Sequence, residues 1–487
     1  MKTKFNFLAL ALMLSIAPNT NAQSDRAERA ISRLAFAIGA GVTNYVSARC
    51  ASTETANAVI GAVANYTFNI IARSGAERDT MVAAISGFIA GTSRVVTRQG
   101  LDPQIVAGAS FAGGAGATQF AAETGADPED TAEIVSDAAS ATFDAATSAG
   151  AEKDTIIASI SGFIGGTSEI VTEEGLDPQI VADASFAGGA GATQFAAETG
   201  ADPEDTAEIV SDAASATFDA ATAVVKTEAG RGTVIAAISG FIAGTSGVVE
   251  EEGLDQQIVS DTSYAGGVGA TQLASLTGAD TEETNVLISD ASSATSSATS
   301  LSAEDDDTVV AAISGFIAGT MEGAADNDID VDSAAQAASS GAAQGTVTAA
   351  IETGADITVA AELAASSAAA AAIEAAIEIG LDPVVATEAV ASGSSQGATE
   401  AASDAGVSQD VIDAVITSSA SGSSDGAVNA AENAGVDTSA IADAAASGSS
   451  EGAAEGTSGD ESNIEIGDPV VTPPDDVDII SPEGPEL

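Results

Sequence analysis

Asp326, Asp328, Asp330 and Asp332 fall on alternate positions of the run Asp-Asn-Asp-Ile-Asp-Val-Asp. Alternating carboxylate oxygens are the ligands that hard divalent cations take, so weak calcium association is the chemistry this run offers. It is not an EF-hand loop. Val331 stands where the sharp-turn glycine belongs, and Ala337 stands where the bidentate acid belongs. Asp305-Asp306-Asp307 and Glu250-Glu251-Glu252 are runs of the same kind. The competing reading is a set of solvated acidic turns at helix starts, where the helix dipole favours negative charge. No other cofactor is implied.

Catalysis is poorly provided for. The chain has no histidine, which removes Ser-His and Cys-His pairs and imidazole metal ligands together. Carboxylate pairs could serve glycoside hydrolysis, but here the acids belong to repeated stripes, whereas a catalytic site is singular. Cys50 is the only cysteine; it is read as a small buried apolar residue, with an intermolecular disulfide as the rival. Threonines recur at two repeat positions, Thr118, Thr193 and Thr271, and Thr92, Thr167, Thr245 and Thr320. An exposed threonine ladder would suit an ice or mineral surface. A helix–helix contact is the ordinary meaning.

The elements that carry these residues are copies of one another. Residues 111–147 and 186–222 are identical, 75 positions apart, and Gly100, Gly125, Gly150, Gly175 and Gly200 follow at steps of 25. In the unit after Gly200, Asp202 is a good helix cap and Pro203 suits the first helical position. Ile209, Val210, Ala213, Ala214, Thr217, Phe218 and Ala221 then step by one, three and four, while Asp205, Glu208, Asp212, Ser215 and Asp219 hold the opposite face. That is α-helical periodicity; a β-solenoid, the structural rival, would need alternation. The glycine closing each unit is a C-terminal cap.

The fold class is therefore all-α: a solenoid-like array of ~25-residue single-helix units, grouped in 75-residue blocks of three helices. One helix of each block is glycine-rich (Ser185 to Thr193), one acid-striped, and one nearly all apolar (Thr155 to Thr167). The three-helix beat suggests inner and outer faces of one wall. Small residues four apart, such as Gly162 and Gly166 or Ala184, Gly188 and Ala192, predict helix backbones in close approach.

Five segments follow. Residues 1–22 read as a signal peptide, with Lys2 and Lys4 before an apolar stretch and Thr20-Asn21-Ala22 before the cleavage point. Residues 23–74 form a divergent N-terminal helical cap, and 75–327 are the regular repeats. Residues 328–456 are degenerate Ala/Ser/Gly-rich repeats, where thinner side chains predict weaker packing. Residues 457–487 form an acidic, proline-rich tail, expected to be disordered.

The formal net charge is −59, and it is uneven. Eight arginines lie between Arg26 and Arg98, and no basic residue follows Arg231. Nucleic acid and anionic membranes are poor partners for such a surface. The arginine-bearing head is complementary to the acidic body or tail of another copy. The expectation is an exported, non-enzymatic structural or interaction protein of a surface layer, matrix, stalk or filament. It would be secreted or at the cell surface, or periplasmic in a Gram-negative envelope. Its partners would be itself or other surface and matrix proteins. The rivals are an acidic cation-binding or surface-adsorbing protein, and a glycine-zipper membrane protein. The membrane reading is disfavoured because the apolar stretches fall short of the ~20 residues a span requires.

Overall fold

The computed structural model describes residues 21–49, 52–224, 229–303 and 305–457. Most of the expected signal, Cys50 and nearly all of the expected tail lie outside the described residues. Seventeen helices are present among those described. The first six are α1 (Asn21–Ser47), α2 (Thr53–Arg73), α3 (Arg78–Gln99), α4 (Gln104–Thr124), α5 (Pro128–Ser148) and α6 (Lys153–Glu174). Next come α7 (Gln179–Glu198), α8 (Pro203–Ala223), α9 (Ala229–Glu252), α10 (Gln257–Thr277), α11 (Thr281–Ser302) and α12 (Asp306–Asp326). The last five are α13 (Val331–Thr353), α14 (Ile357–Ile379), α15 (Pro383–Asp404), α16 (Gln409–Ala434) and α17 (Thr438–Thr457). The all-α repeat array stands.

The turns follow from glycine and aspartate chemistry. Gly100, Gly175 and Gly253 take left-handed φ of 57°, 64° and 63°, a region that costs an L-residue with a Cβ about 1 kcal/mol or more. The leucine after each then donates its N–H back into the helix, as Leu176 N does to Val171 O at 3.0 Å, satisfying an orphan carbonyl. Asp127, Asp202 and Asp280 open the next helix by accepting from the third residue on, for example Asp205 N to Asp202 Oδ1 at 3.0 Å.

Packing runs chiefly between second neighbours. Gly162 and Gly166 of α6 lie on the carbonyls of Ala107 and Phe111 of α4, so the two helices are parallel at a fixed offset. First neighbours are antiparallel: Gly113 of α4 meets Ile85 and Ile89 of α3, while Gly116, further along, meets Met81. Odd and even helices therefore form two layers, and every substantial contact joins helices no more than three apart. This corrects the idea of a fixed inner and outer flavour. A beat of three laid over an alternation of two puts each flavour in both layers.

The core is a thin seam between the layers that runs from Ala35 to Val415, with a second small cluster around Ile373, Ala427 and Ile441 at the C-terminal end. Its largest members are phenylalanines that meet edge to face across it: Phe68–Phe88, Phe143–Phe163 and Phe218–Phe241, with centroids 5.8, 6.0 and 5.9 Å apart. Such pairs contribute about 1 kcal/mol beyond their buried area.

Candidate functional surfaces

The glycine seam is the most repeated contact. A Cβ on Gly166 would sit 2.0 Å from Phe111 O, one on Gly244 2.1 Å from Phe186 O, and one on Gly319 2.0 Å from Tyr264 O. Only hydrogen fits, and the Cα–H groups point at carbonyl oxygens, a weak but cumulative attraction. The geometry holds for eight Gly-x-x-x-Gly pairs in the described helices: 87/91, 162/166, 240/244, 315/319, 341/345, 393/397, 422/426 and 448/452, whereas Gly323, four beyond Gly319, meets the Thr271 side chain instead. Each pair lies on two carbonyls, four residues apart, of the helix two earlier. The reciprocal glycine from the earlier helix is Gly114 on Phe163 O, or Gly189 on Phe241 O. Gly188, expected in the seam, instead faces the tips of Ile160 and Ile164.

Residues 328–456 contradict the expectation of weaker packing. Their Gly-Ser-Ser-x-Gly motifs carry the same seam, with Gly397 on Ser340 O and Gly452 on Ser392 O. Where side chains shrink, the backbones close up, and buried alanines such as Ala364, Ala368 and Ala372 supply the rest of the core.

The acid stripe lies where its spacing puts it: Asp205, Glu208, Asp212, Ser215 and Asp219 are all exposed. It is not wholly free. Lys153 of α6 pairs with Glu208 and Asp212 of α8 at 3.0 and 2.8 Å. One block earlier Arg78 pairs with Glu133, at 2.9 Å, and with Asp137. One block later Arg231 approaches Glu283 at 3.4 Å. Burial alone would lower the Lys153 ammonium, but its hydrogen bonds to Asp212 and Glu208 hold it above its ordinary value. These clamps tie the apolar helices α3, α6 and α9 to the acidic helix two on. The sequence reading missed them because each base lies 55 or so residues from its acid.

Asp183 and Asp290 are half-buried rather than displayed. Burial pushes Asp183 up to about 6, partly offset by the Gln179 Nε2 hydrogen bond to its Oδ1 at 2.5 Å. Asp290, at the position of Asp212 one block on, is pushed up to about 6 by burial.

The alternating aspartates resolve into the ordinary turn of the repeat. Asp328 lies 50 residues after Gly278 and takes its left-handed role, with φ 56°. Asp330 is the helix cap, accepting from Ser333 N at 3.1 Å. Asp326 ends α12, and burial raises Asp332 in the first turn of α13, with Asp330 adding to the shift. Among the described residues, no group of three or more acids, cysteines or histidines gathers as a metal shell.

The threonine positions are interior. Thr92, Thr118, Thr167, Thr193, Thr245, Thr271 and Thr320 are all buried. Thr118 and Thr193 donate to Gly114 O and Gly189 O within their own helices, at 2.9 and 2.8 Å. The helix-contact reading of these residues holds, and they form no exposed ladder.

Five helices, α3, α6, α9, α12 and α14, are long and apolar enough to cross a membrane by length and composition. This corrects the expectation that the apolar stretches are too short. Between 61% and 83% of each apolar window is nevertheless already buried against neighbouring helices.

No protein-family model matches the chain, and no curated protein matches it. One similar solved structure is a circular tandem repeat protein with novel repeat topology and enhanced subunit contact surfaces. It is 11% identical, the match covers 88% of this chain and 97% of that one, and the TM-score is 0.29.

Proposed function

We propose that this chain is an exported, non-enzymatic structural and interaction element that works outside the cytoplasm, in a surface layer, matrix, stalk or filament. One observation supports the reading best. The seams, clamps and acid rows recur from block to block, so the chain invests its sequence in extending one wall. A 75-residue copy adds three helices and reproduces every neighbour contact, which makes length itself the adjustable property. Self-association or contact with other matrix proteins is the activity such a wall serves. The acid rows keep it soluble and away from nucleic acid and anionic lipid.

Electron microscopy of the purified chain beginning at Gln23 tests this. Filaments, sheets or bundles are expected. Single dispersed particles at every concentration and salt would refute the reading.

A further inference from the structure

The two ends of the array are not alike. Inside the array each helix is covered by the helix two before it and the helix two after it. Among the described residues, no helix lies two before α1 or α2, and none lies two after α16 or α17. Helix α1 meets α3 through Ser32, Phe36 and Gly39. Residues two further on lie about 200° around a helix, so Leu34 and Gly41 point away from the array. Tyr45, two after the buried Thr43, does the same and is 53% exposed. Helix α2 meets α4 through Asn57, Gly61 and Phe68, which turns Val59 and Ile70 outward. Val59 is 39% exposed, and Tyr66 on the same side is 56% exposed. Three of the nine large hydrophobic residues exposed among those described thus fall on these two helices.

The other end follows the opposite rule. Two residues after Gly448 and Gly452 of α17 come Ser450 and Ala454, both exposed. Two after Gly422 of α16 comes Ser424, with Asp413 and Thr417 exposed nearby. That end has the polar, small-residue finish that keeps a terminal repeat soluble. The N-terminal end lacks it.

Charge says what covers the N-terminal face. Arg26, Arg33, Arg49 and Arg73 are exposed around it, and Arg49 lies over the Tyr45 ring at 4.3 Å. Two such faces would repel each other, which disfavours a head-to-head pair. A matching segment must be acidic and aliphatic together. Residues 458–487 are both. They hold nine acids and no base, with Ile464, Ile466, Val470, Val471, Ile479 and Ile480 among them. Thirty residues reach up to about 100 Å when extended, far enough to leave one array and meet the next.

We propose that the acidic C-terminal segment of one copy docks on the α1/α2 end face of a second copy, chaining the arrays head to tail. Aliphatic side chains cover Leu34, Tyr45 and Val59, and the acids meet the arginine rim. The proposal deepens the interaction-element reading above and rests on it.

Sedimentation velocity on the full chain from Gln23 tests it, with a synthetic peptide of residues 458–487 as competitor. The expected result is concentration-dependent association that weakens as monovalent salt rises and that excess peptide reverses to monomer. Val59→Asp and Tyr45→Asp, at exposed positions, should each weaken association tenfold or more while the circular dichroism spectrum stays unchanged. Association indifferent to the peptide and to both variants overturns the proposal, as does a species that stops at a dimer. If filaments still form under those conditions, the tail contact alone is refuted and the scaffold reading survives. A chain that is monomeric throughout refutes both.

Discussion

Replacing Gly166 by alanine should destabilise the array, against the usual rule for glycine in a helix. By propensity alone, alanine gains about 1 kcal/mol over glycine in a helix interior. At Gly166 the new methyl carbon would lie 2.0 Å from Phe111 O, 2.8 Å from its carbonyl carbon and 3.0 Å from Ala115 N. All three are backbone atoms, so no rotamer change relieves the clash. Helices α4 and α6 must separate by about 1 Å, and a gap of that size forfeits a quarter to a half of each dispersion contact along the seam. Overpacking of this kind costs about 1–3 kcal/mol, which cancels the propensity gain and leaves a net loss of up to about 2 kcal/mol. Gly247 is the matched control. It is helical, lies in α9, and has nothing within 4 Å of its would-be Cβ. Gly247→Ala should stabilise by about 0.5–1 kcal/mol. Urea unfolding followed by circular dichroism at 222 nm compares the two midpoints. If Gly166→Ala is as stabilising as Gly247→Ala, the seam is not a close backbone contact and the packing account is wrong.

Other consequences can be read from single side chains. Asp183 and Asp290 hold their protons to about pH 6 in the folded chain, against about 3.9 when unfolded. Their folded pKa values are raised, so their contribution is full below about pH 4 and is lost as pH rises through 6. Asp183→Asn should therefore raise stability at pH 7.5 by about 1–2 kcal/mol, leave it unchanged near pH 4, and flatten the profile between; melts across that range check the sign. Asp328→Gly should raise the melting midpoint, because glycine accepts φ 56° without the roughly 1 kcal/mol charged to a residue with a Cβ. Lys153→Gln should cost no more than about 1 kcal/mol, a loss that disappears in high salt, because both of its acid partners are largely exposed.

Much of this was legible in the residues. The 25-residue beat, the left-handed glycines and the acid row at 3-4 spacing each depend on local geometry, and the helices place them as that geometry requires. What spacing could not supply is which helix covers which. Periodicity says that Gly162 and Gly166 share a face, but not that α4, two helices back, lies on it. For the same reason the layer alternation, the Lys153 clamp and the exchange of Gly188 for Gly189 in the seam were hidden. The aspartate run misled differently. Its alternation suggested ligands, whereas its register with Gly278 and Asp280 makes it a turn and a cap. The uninterrupted apolar runs are short, but the helices continue through their flanking polar residues and so reach a membrane-spanning length.

The central claim is that helices pair with second neighbours on a beat of three, so that whole blocks, and only whole blocks, can be added or removed. Two deletions with equally clean turns test it. Removing residues 126–200 joins Gly125 to Ala201-Asp202-Pro203 and restores the Gly-Ala-Asp-Pro turn. Helix α4 then meets α8 and α9, which are equivalent to α5 and α6. Removing residues 126–150 joins Gly125 to Ala151-Glu152, a turn like that at Gly75-Ala76-Glu77, but it sets α6 two places after α3 and leaves α4 without its seam. Denaturant melts of the two shortened chains measure the difference. The account predicts that the first unfolds at a midpoint close to that of the full chain and that the second loses stability and helicity. Equal behaviour of the two would contradict it.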